Sequence, residues 1–188
     1  MKKDLETYIG HLKGVIPKDF CEKLISQNEE VEWGKHSYYS KADGGHRKQN
    51  GDKEFDVNYG KQDSEEYSIL MENTQKAFRI YVDSFDFSWF GMLREMSAVR
   101  FNKYTEGTHM DSHCDHIQSL FENGGVPILT ALGVLNDDYE GGDLMMFEDT
   151  KIEMKQGDII VFPSNFLYPH MVTPVTKGVR HSFVSWAW

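Results

Sequence analysis

From about residue 92 to the C-terminus the hydrophobic period of the chain changes, and this change constrains the fold more than any other feature. MLREMSAVRFNKY, PILTALGVLN, DLMMFED, DIIVFPS and VRHSFVSWAW are short runs rich in β-formers. Turn-forming Glu140-Gly141-Gly142, Gln156-Gly157-Asp158 and Thr176-Lys177-Gly178 lie between them. The first half reads differently. Pro17 suits the first turn of a helix, and Phe20, Leu24, Gln27 and Val31 fall at helical spacing behind it. Ile69, Leu70, Thr74, Ala77, Phe78 and Tyr81 form the stripe of a second helix. Between these helices, residues 34–66 are polar, rich in Gly, Lys, Asp and Asn, and lack sustained periodicity. Long excursions of this kind are often lids or binding loops. Helices followed by many short strands predict an α+β domain with a mainly β core, an antiparallel barrel or sandwich with the N-terminal helices packed on one side.

A chain of 188 residues suits one domain, 1–188, with helical support over about 15–90 and the β core over about 92–188. Its formal charge of −10, with no basic cluster to offset it, argues against a nucleic-acid or anionic-membrane platform. Cys21 and Cys114 are the only cysteines and make no disulfide framework, which points to a reducing setting. MKKDLETYIG has no apolar signal core, and no run approaches membrane-spanning length. A cytoplasmic protein, monomeric or weakly dimeric, is the expectation.

The stretch YTEGTHMDSHCDH holds two H-x-D triplets, His109-Met110-Asp111 and His113-Cys114-Asp115. In a strand, residues i and i+2 face the same way, so either triplet aims an imidazole and a carboxylate into one cavity. A further histidine from a distant strand would complete two nitrogens and one oxygen on one side of an ion, the set suited to non-haem Fe(II) oxygenases. By itself such a triplet is better read as a solvated polar turn. Further on, His170 is followed ten residues later by Arg180 across a Pro-Val-Thr-Lys-Gly turn. A hairpin of that length brings both to one cavity, where an inward arginine is costly unless an anion meets it. Its fork pairs best with a carboxylate. An outward-facing Arg180 is the alternative.

Four segments together resemble the 2-oxoglutarate and Fe(II)-dependent dioxygenases, in their prolyl 4-hydroxylase-like branch. They are RFNKYTEGTHMDSHCD, LTALGVLNDDYEGGDLMMF, KQGDIIVFPS and HMVTPVTKGVRHSFVSW, in the order in which that family carries its motifs, spanning roughly residues 96–188. The resemblance implies a double-stranded β-helix (jelly-roll) core. With Tyr104 and Gly107 setting the register, it assigns the iron ligands to His113, Asp115 and His170, leaving His109, Asp111 and His116 outside the set. It also assigns Arg180 to the distal carboxylate of 2-oxoglutarate, with hydroxyl support from Tyr104 and Thr130, and Ser182 on the same face. Met110 and Gly133 stand where the hydroxylases often carry tyrosines, near the expected mouth of the site.

The family chemistry implied is oxidative decarboxylation of 2-oxoglutarate to succinate and carbon dioxide, using Fe(II) and O2 with ascorbate as reductant, coupled to hydroxylation of an unactivated C–H bond. Asp115 argues against halogenation, since related halogenases lack that carboxylate. Trp186 stands where nucleic-acid demethylases typically place a second arginine. By analogy the substrate is a prolyl residue in a peptide or protein. A free amino acid or small metabolite is the alternative, and a non-catalytic jelly-roll binding protein a third reading. Trp33, Tyr38, Tyr39 and Met110 are candidate substrate contacts, with the aromatics of 34–66 serving either as a lid or as anchors of a long loop.

Overall fold

Pro17, at φ −58°, leads into helix α1 (Lys18–Asn28) in this computed structural model, which describes residues 5–39, 47–49, 51–85, 93–116 and 125–188. α1 buries Cys21, Leu24 and Asn28, with Phe20 and Ile25 packed alongside. Helix α2 (Glu65–Asp83) starts at Ser64, whose hydroxyl accepts the Tyr67 N–H at 3.1 Å. Glu65 and Glu66 in its first turn complement the helix dipole. Its buried stripe is Tyr67, Leu70, Thr74, Ala77, Phe78 and Tyr81.

Two antiparallel sheets form the core. The larger runs β1 (Gly10–Leu12), β12 (Ile159–Pro163), β8 (Leu129–Val134), β15 (Arg180–Ala187), β6 (Arg100–Tyr104), β5 (Asp56–Asn58) and β2 (Gly34–Lys35). The smaller runs β11 (Thr150–Ile152), β10 (Leu144–Met146), β13 (His170–Val172) and β7 (Met110–His113). Side-chain alternation divides the larger sheet between two cores. Leu129, Ala131, Ile159, Val161 and Phe183 face α1 and α2. Leu132, Val134, Ile160 and Phe162 face Leu144, Met146 and Val172 of the smaller sheet. β8, β12 and β15 are therefore covered on both sides, which is why they read as nearly continuous apolar runs.

Two segments depart from the sequence reading. The excursion at 34–66 is partly built into the wall: β5 pairs with β6, and β2 with β5. Phe55, fully buried, stacks between His36 at 4.4 Å and Tyr104 at 4.3 Å. Strands of two or three residues are too short to leave a readable period. Residues 40–46 and 50, within the same excursion, lie outside the described residues. The second departure is that His170 and Arg180 do not share a hairpin. β13 belongs to the smaller sheet and β15 to the larger, and β14 (Val175–Lys177) crosses between them, pairing with β9 (Glu140–Gly141). Gly141, at φ 72°, leaves a Cβ no room there, because Pro174 O would lie 2.4 Å away.

Candidate metal centre

His113 ends β7 and His170 begins β13, and the two are direct cross-strand partners with ring centroids 4.3 Å apart. Asp115 comes two residues after β7 ends, at a bend, so it is the turn and not strand alternation that carries its carboxylate to the imidazoles. His113 Nε2 is 3.4 Å from Asp115 Oδ1, and His170 Nε2 is 3.7 Å from Asp115 Oδ2. One donor atom from each residue lies within 4.8 Å of the others.

Each imidazole is oriented by its own chain. His113 Nδ1 lies 2.8 Å from Asp111 O, and His170 Nδ1 lies 3.1 Å from Tyr168 O. A carbonyl only accepts, so both Nδ1 atoms carry the proton and both Nε2 lone pairs face the cluster. Burial, then the neighbouring His113, pushes the His170 pKa down to about 4, with Asp115 opposing. His170 is therefore neutral at pH 7, as a ligand must be. Burial would raise the Asp115 carboxyl, but the neighbouring His170 and His113 outweigh it and hold the group well below the usual carboxylate range. Two imidazole nitrogens and one carboxylate oxygen fit Fe(II), with coordination positions left for a chelating co-substrate and O2.

Arg180 lies at the far end of β15, 1% exposed. Its cross-strand partner is Tyr104, with Cζ 5.2 Å from the tyrosine ring centroid. Nη1 donates to Ser182 Oγ at 2.7 Å, while Nε is buried without a hydrogen-bond partner among the described residues. An orphaned donor on a buried guanidinium is the signature of a site built for a carboxylate. Burial pushes the Tyr104 hydroxyl up to about 12, against the pull of Arg180, so it stays a donor. A small cavity here is lined by Arg180, Val134, Gly142, Leu144 and Met154.

Thr130, expected at the co-substrate's distal carboxylate, lies elsewhere. It sits opposite Trp186, six residues along β15 from Arg180 and so about 20 Å away by strand rise. Its hydroxyl donates to Asp115 Oδ2 at 2.8 Å. Gly133 is likewise not at the mouth. It faces the helix-side core, where an added Cβ would meet the Phe183 ring at 2.2 Å, and Val134 is the neighbour that lines the Arg180 cavity. Met110 starts β7 opposite Val172 and packs partly buried against the interior core. Trp33 packs with the helix-side core, its ring 5.4 Å from Lys103 Nζ and edge-on to His181. Tyr38 and Tyr39 form β3, paired with β4 (Arg47–Lys48) in a separate ribbon; the Tyr39 side chain lies outside the described residues. His109 Nε2, just before β7, lies 3.2 Å from Asp111 within that strand, and His116 is exposed. Sequence reasoning missed Ser164 and Phe162. Ser164 Oγ lies 2.8 Å from Thr130, and Phe162 packs edge-on to His170 at 5.0 Å. Only the place of Phe162 in β12 opposite Thr130, with Ser164 just past the end of that strand, would have signalled them.

A family model described as the 2OG-Fe(II) oxygenase superfamily matches residues 99–188. The PKHD-type hydroxylase YbiX of Escherichia fergusonii is 30% identical over 187 residues, covering 94% of this chain and 76% of that protein. Against other curated PKHD-type hydroxylases the match is local, and the chain spans 43% and 40% of their length. Among solved structures, a Pseudomonas putida prolyl-4-hydroxylase superposes with a TM-score of 0.70 at 19% identity, covering 98% of this chain and 95% of that one. A Trichoplax adhaerens prolyl hydroxylase, in complex with a hypoxia inducible factor peptide fragment, does so at 0.70 and 14%, covering 99% and 86%. The fold is the double-stranded β-helix of these proteins.

Proposed function

The chain belongs to the 2OG-Fe(II) oxygenase superfamily, among its PKHD-type hydroxylases, and from that membership we propose that it hydroxylates a prolyl residue in a peptide or protein. His113, Asp115 and His170 hold Fe(II), and Arg180, with Ser182 and Tyr104 beside it, seats the distal carboxylate of 2-oxoglutarate. The observation that carries this is the pairing of a two-histidine, one-carboxylate cluster with a buried guanidinium whose Nε has no hydrogen-bond partner among the described residues. Bound there, Fe(II) and 2-oxoglutarate supply oxidising power through decarboxylation to succinate and carbon dioxide, with O2 as oxidant and ascorbate as reductant.

The protein's own part is positional. The backbone carbonyls of Asp111 and Tyr168 hold the imidazole lone pairs toward the ion. Tyr104 and Leu132, with Phe162 against the His170 ring, keep bulk water from the interior. Every proposed ligand comes from one chain, so the site needs no second copy. No helix among the described residues is long and apolar enough to cross a membrane. The prolyl hydroxylase likeness at the level of fold, one example of which holds a peptide, supports a peptide substrate.

The test is aerobic turnover with Fe(II), 2-oxoglutarate and ascorbate against proline-containing peptides and free amino acids. Succinate release tied to the gain of one oxygen on a peptidyl proline is the expected result. Oxygen gained only on a free amino acid or small metabolite, or no substrate-coupled succinate at all, would overturn it.

A further inference from the structure

Thr130 is fully buried, and its single hydroxyl proton has only one use at this site. The ionised Asp115 carboxylate can only accept, so the 2.8 Å contact from Thr130 Oγ1 to Oδ2 consumes that proton. The 2.8 Å contact between Thr130 Oγ1 and Ser164 Oγ must then run the other way, with Ser164 donating to Thr130. The result is a directed pair of hydrogen bonds, Ser164 to Thr130 to Asp115, among residues 1%, 0% and 5% exposed. Ser164 is itself pinned, its N–H donating to Ile128 O at 2.9 Å.

These groups belong to one transverse row of the larger sheet. Phe162, Thr130 and Trp186 are register partners across β12, β8 and β15. Phe162 packs on His170, and Thr130 holds Asp115. Arg100 lies over the Trp186 ring at 5.1 Å, backing the row from β6. The row compensates for a local weakness. Both histidines are cross-strand neighbours in the smaller sheet, but Asp115 stands past the end of its strand, with no ladder to fix it.

We propose that Thr130 and Ser164 are positioning residues, a two-hydroxyl strut that fixes the Asp115 carboxylate and so sets how tightly the chain holds its divalent ion. This rests on the metal-centre reading above. Because Thr130 commits Oδ2, the strut leaves Oδ1 as the oxygen it does not constrain.

Co(II) titration of the full chain, followed by calorimetry and by the ligand-field absorption of the bound ion, tests this apart from turnover. Thr130→Val keeps shape and volume and removes the hydroxyl; it should weaken Co(II) binding about 10- to 100-fold and alter the absorption band. Thr130→Ser should restore both. Ser164→Ala, which leaves the Thr130 donor in place, should give a smaller loss and serves as the reading if Thr130→Val does not fold. A folded Thr130→Val, or failing that Ser164→Ala, with the affinity and band of the unsubstituted chain would overturn the strut while leaving the metal centre intact. No Co(II) or Fe(II) binding by the unsubstituted chain would overturn both.

Discussion

For a buried guanidinium whose Nε finds no partner among the described residues, the Ser182 hydrogen bond and the Tyr104 ring offset the desolvation of the charge only in part. Arg180 is best explained by a ligand that arrives later with two oxygens. Lysine at that position would keep the charge and lose the fork. Arg180→Lys should raise the KM for 2-oxoglutarate roughly 10- to 100-fold, the loss of one charge-assisted hydrogen bond, with a smaller change in kcat at saturation. Steady-state succinate formation across co-substrate concentrations checks this, and an unchanged KM would remove Arg180 from the site. Ser182 accepts from Nη1 and so keeps its own hydroxyl proton for the same carboxylate.

At the level of single elements, β8 shows what close packing demands. Leu129, Ala131 and Gly133 face the helices, while Thr130, Leu132 and Val134 face the interior. Gly133 lies directly opposite Phe183 on β15, and its missing side chain is the space the phenyl ring fills. Gly133→Ala should destabilise the chain by about 1–3 kcal/mol through overpacking, since both strands are covered on both faces and neither can move aside. Urea unfolding should show a lower midpoint with an unchanged slope, and a midpoint equal to the parent's would refute the contact. Metal binding is expected to survive, because the opposite face of β8 carries the interior residues. Aromatic stacking ties a neighbouring element to the site in the same way: His36, Phe55 and Tyr104 stack in sequence from the 34–66 excursion to the ring beneath Arg180.

In the molecule as a whole, acid sensitivity follows from histidines buried without charge. Burial, then Lys103, lowers the His181 pKa to about 4 against an ordinary value of 6.5. Below about pH 6.5 the unfolded chain takes up a proton that the folded chain refuses until about pH 4. Stability is therefore flat above that window and falls as pH drops through it, by up to about 3 kcal/mol for such a group. His170 pushes in the same direction in the metal-free protein. Thermal melts of metal-free chain between pH 8 and 4.5 should show this slope, and His181→Gln should flatten part of it. An unchanged slope in that variant would place the acid sensitivity elsewhere.

The fold class and the helices were legible along the chain because each depends on local pattern. Helical spacing marks Leu70, Thr74, Ala77 and Phe78, and glycine turns separate the strands; spacing alone left two H-x-D triplets open, and only the family resemblance preferred His113, Asp115, His170 and Arg180, the first three of which the structure brings together. The pairing of His113 with His170 was not legible, since strand register between segments far apart in sequence is chosen by the packing of whole sheets. Thr130 was placed beside Arg180 by the resemblance, and strand register sets it opposite Trp186 instead, because how far along its partner a residue lies is decided by sheet packing. Gly133 was placed near the mouth by the same resemblance, but β8 turns it to the helix-side core and presents Val134 to the cavity. Local chemistry chose the atoms that can bind a metal and a keto acid. Only long-range packing decided which of those atoms meet, and which buried hydroxyls hold them there.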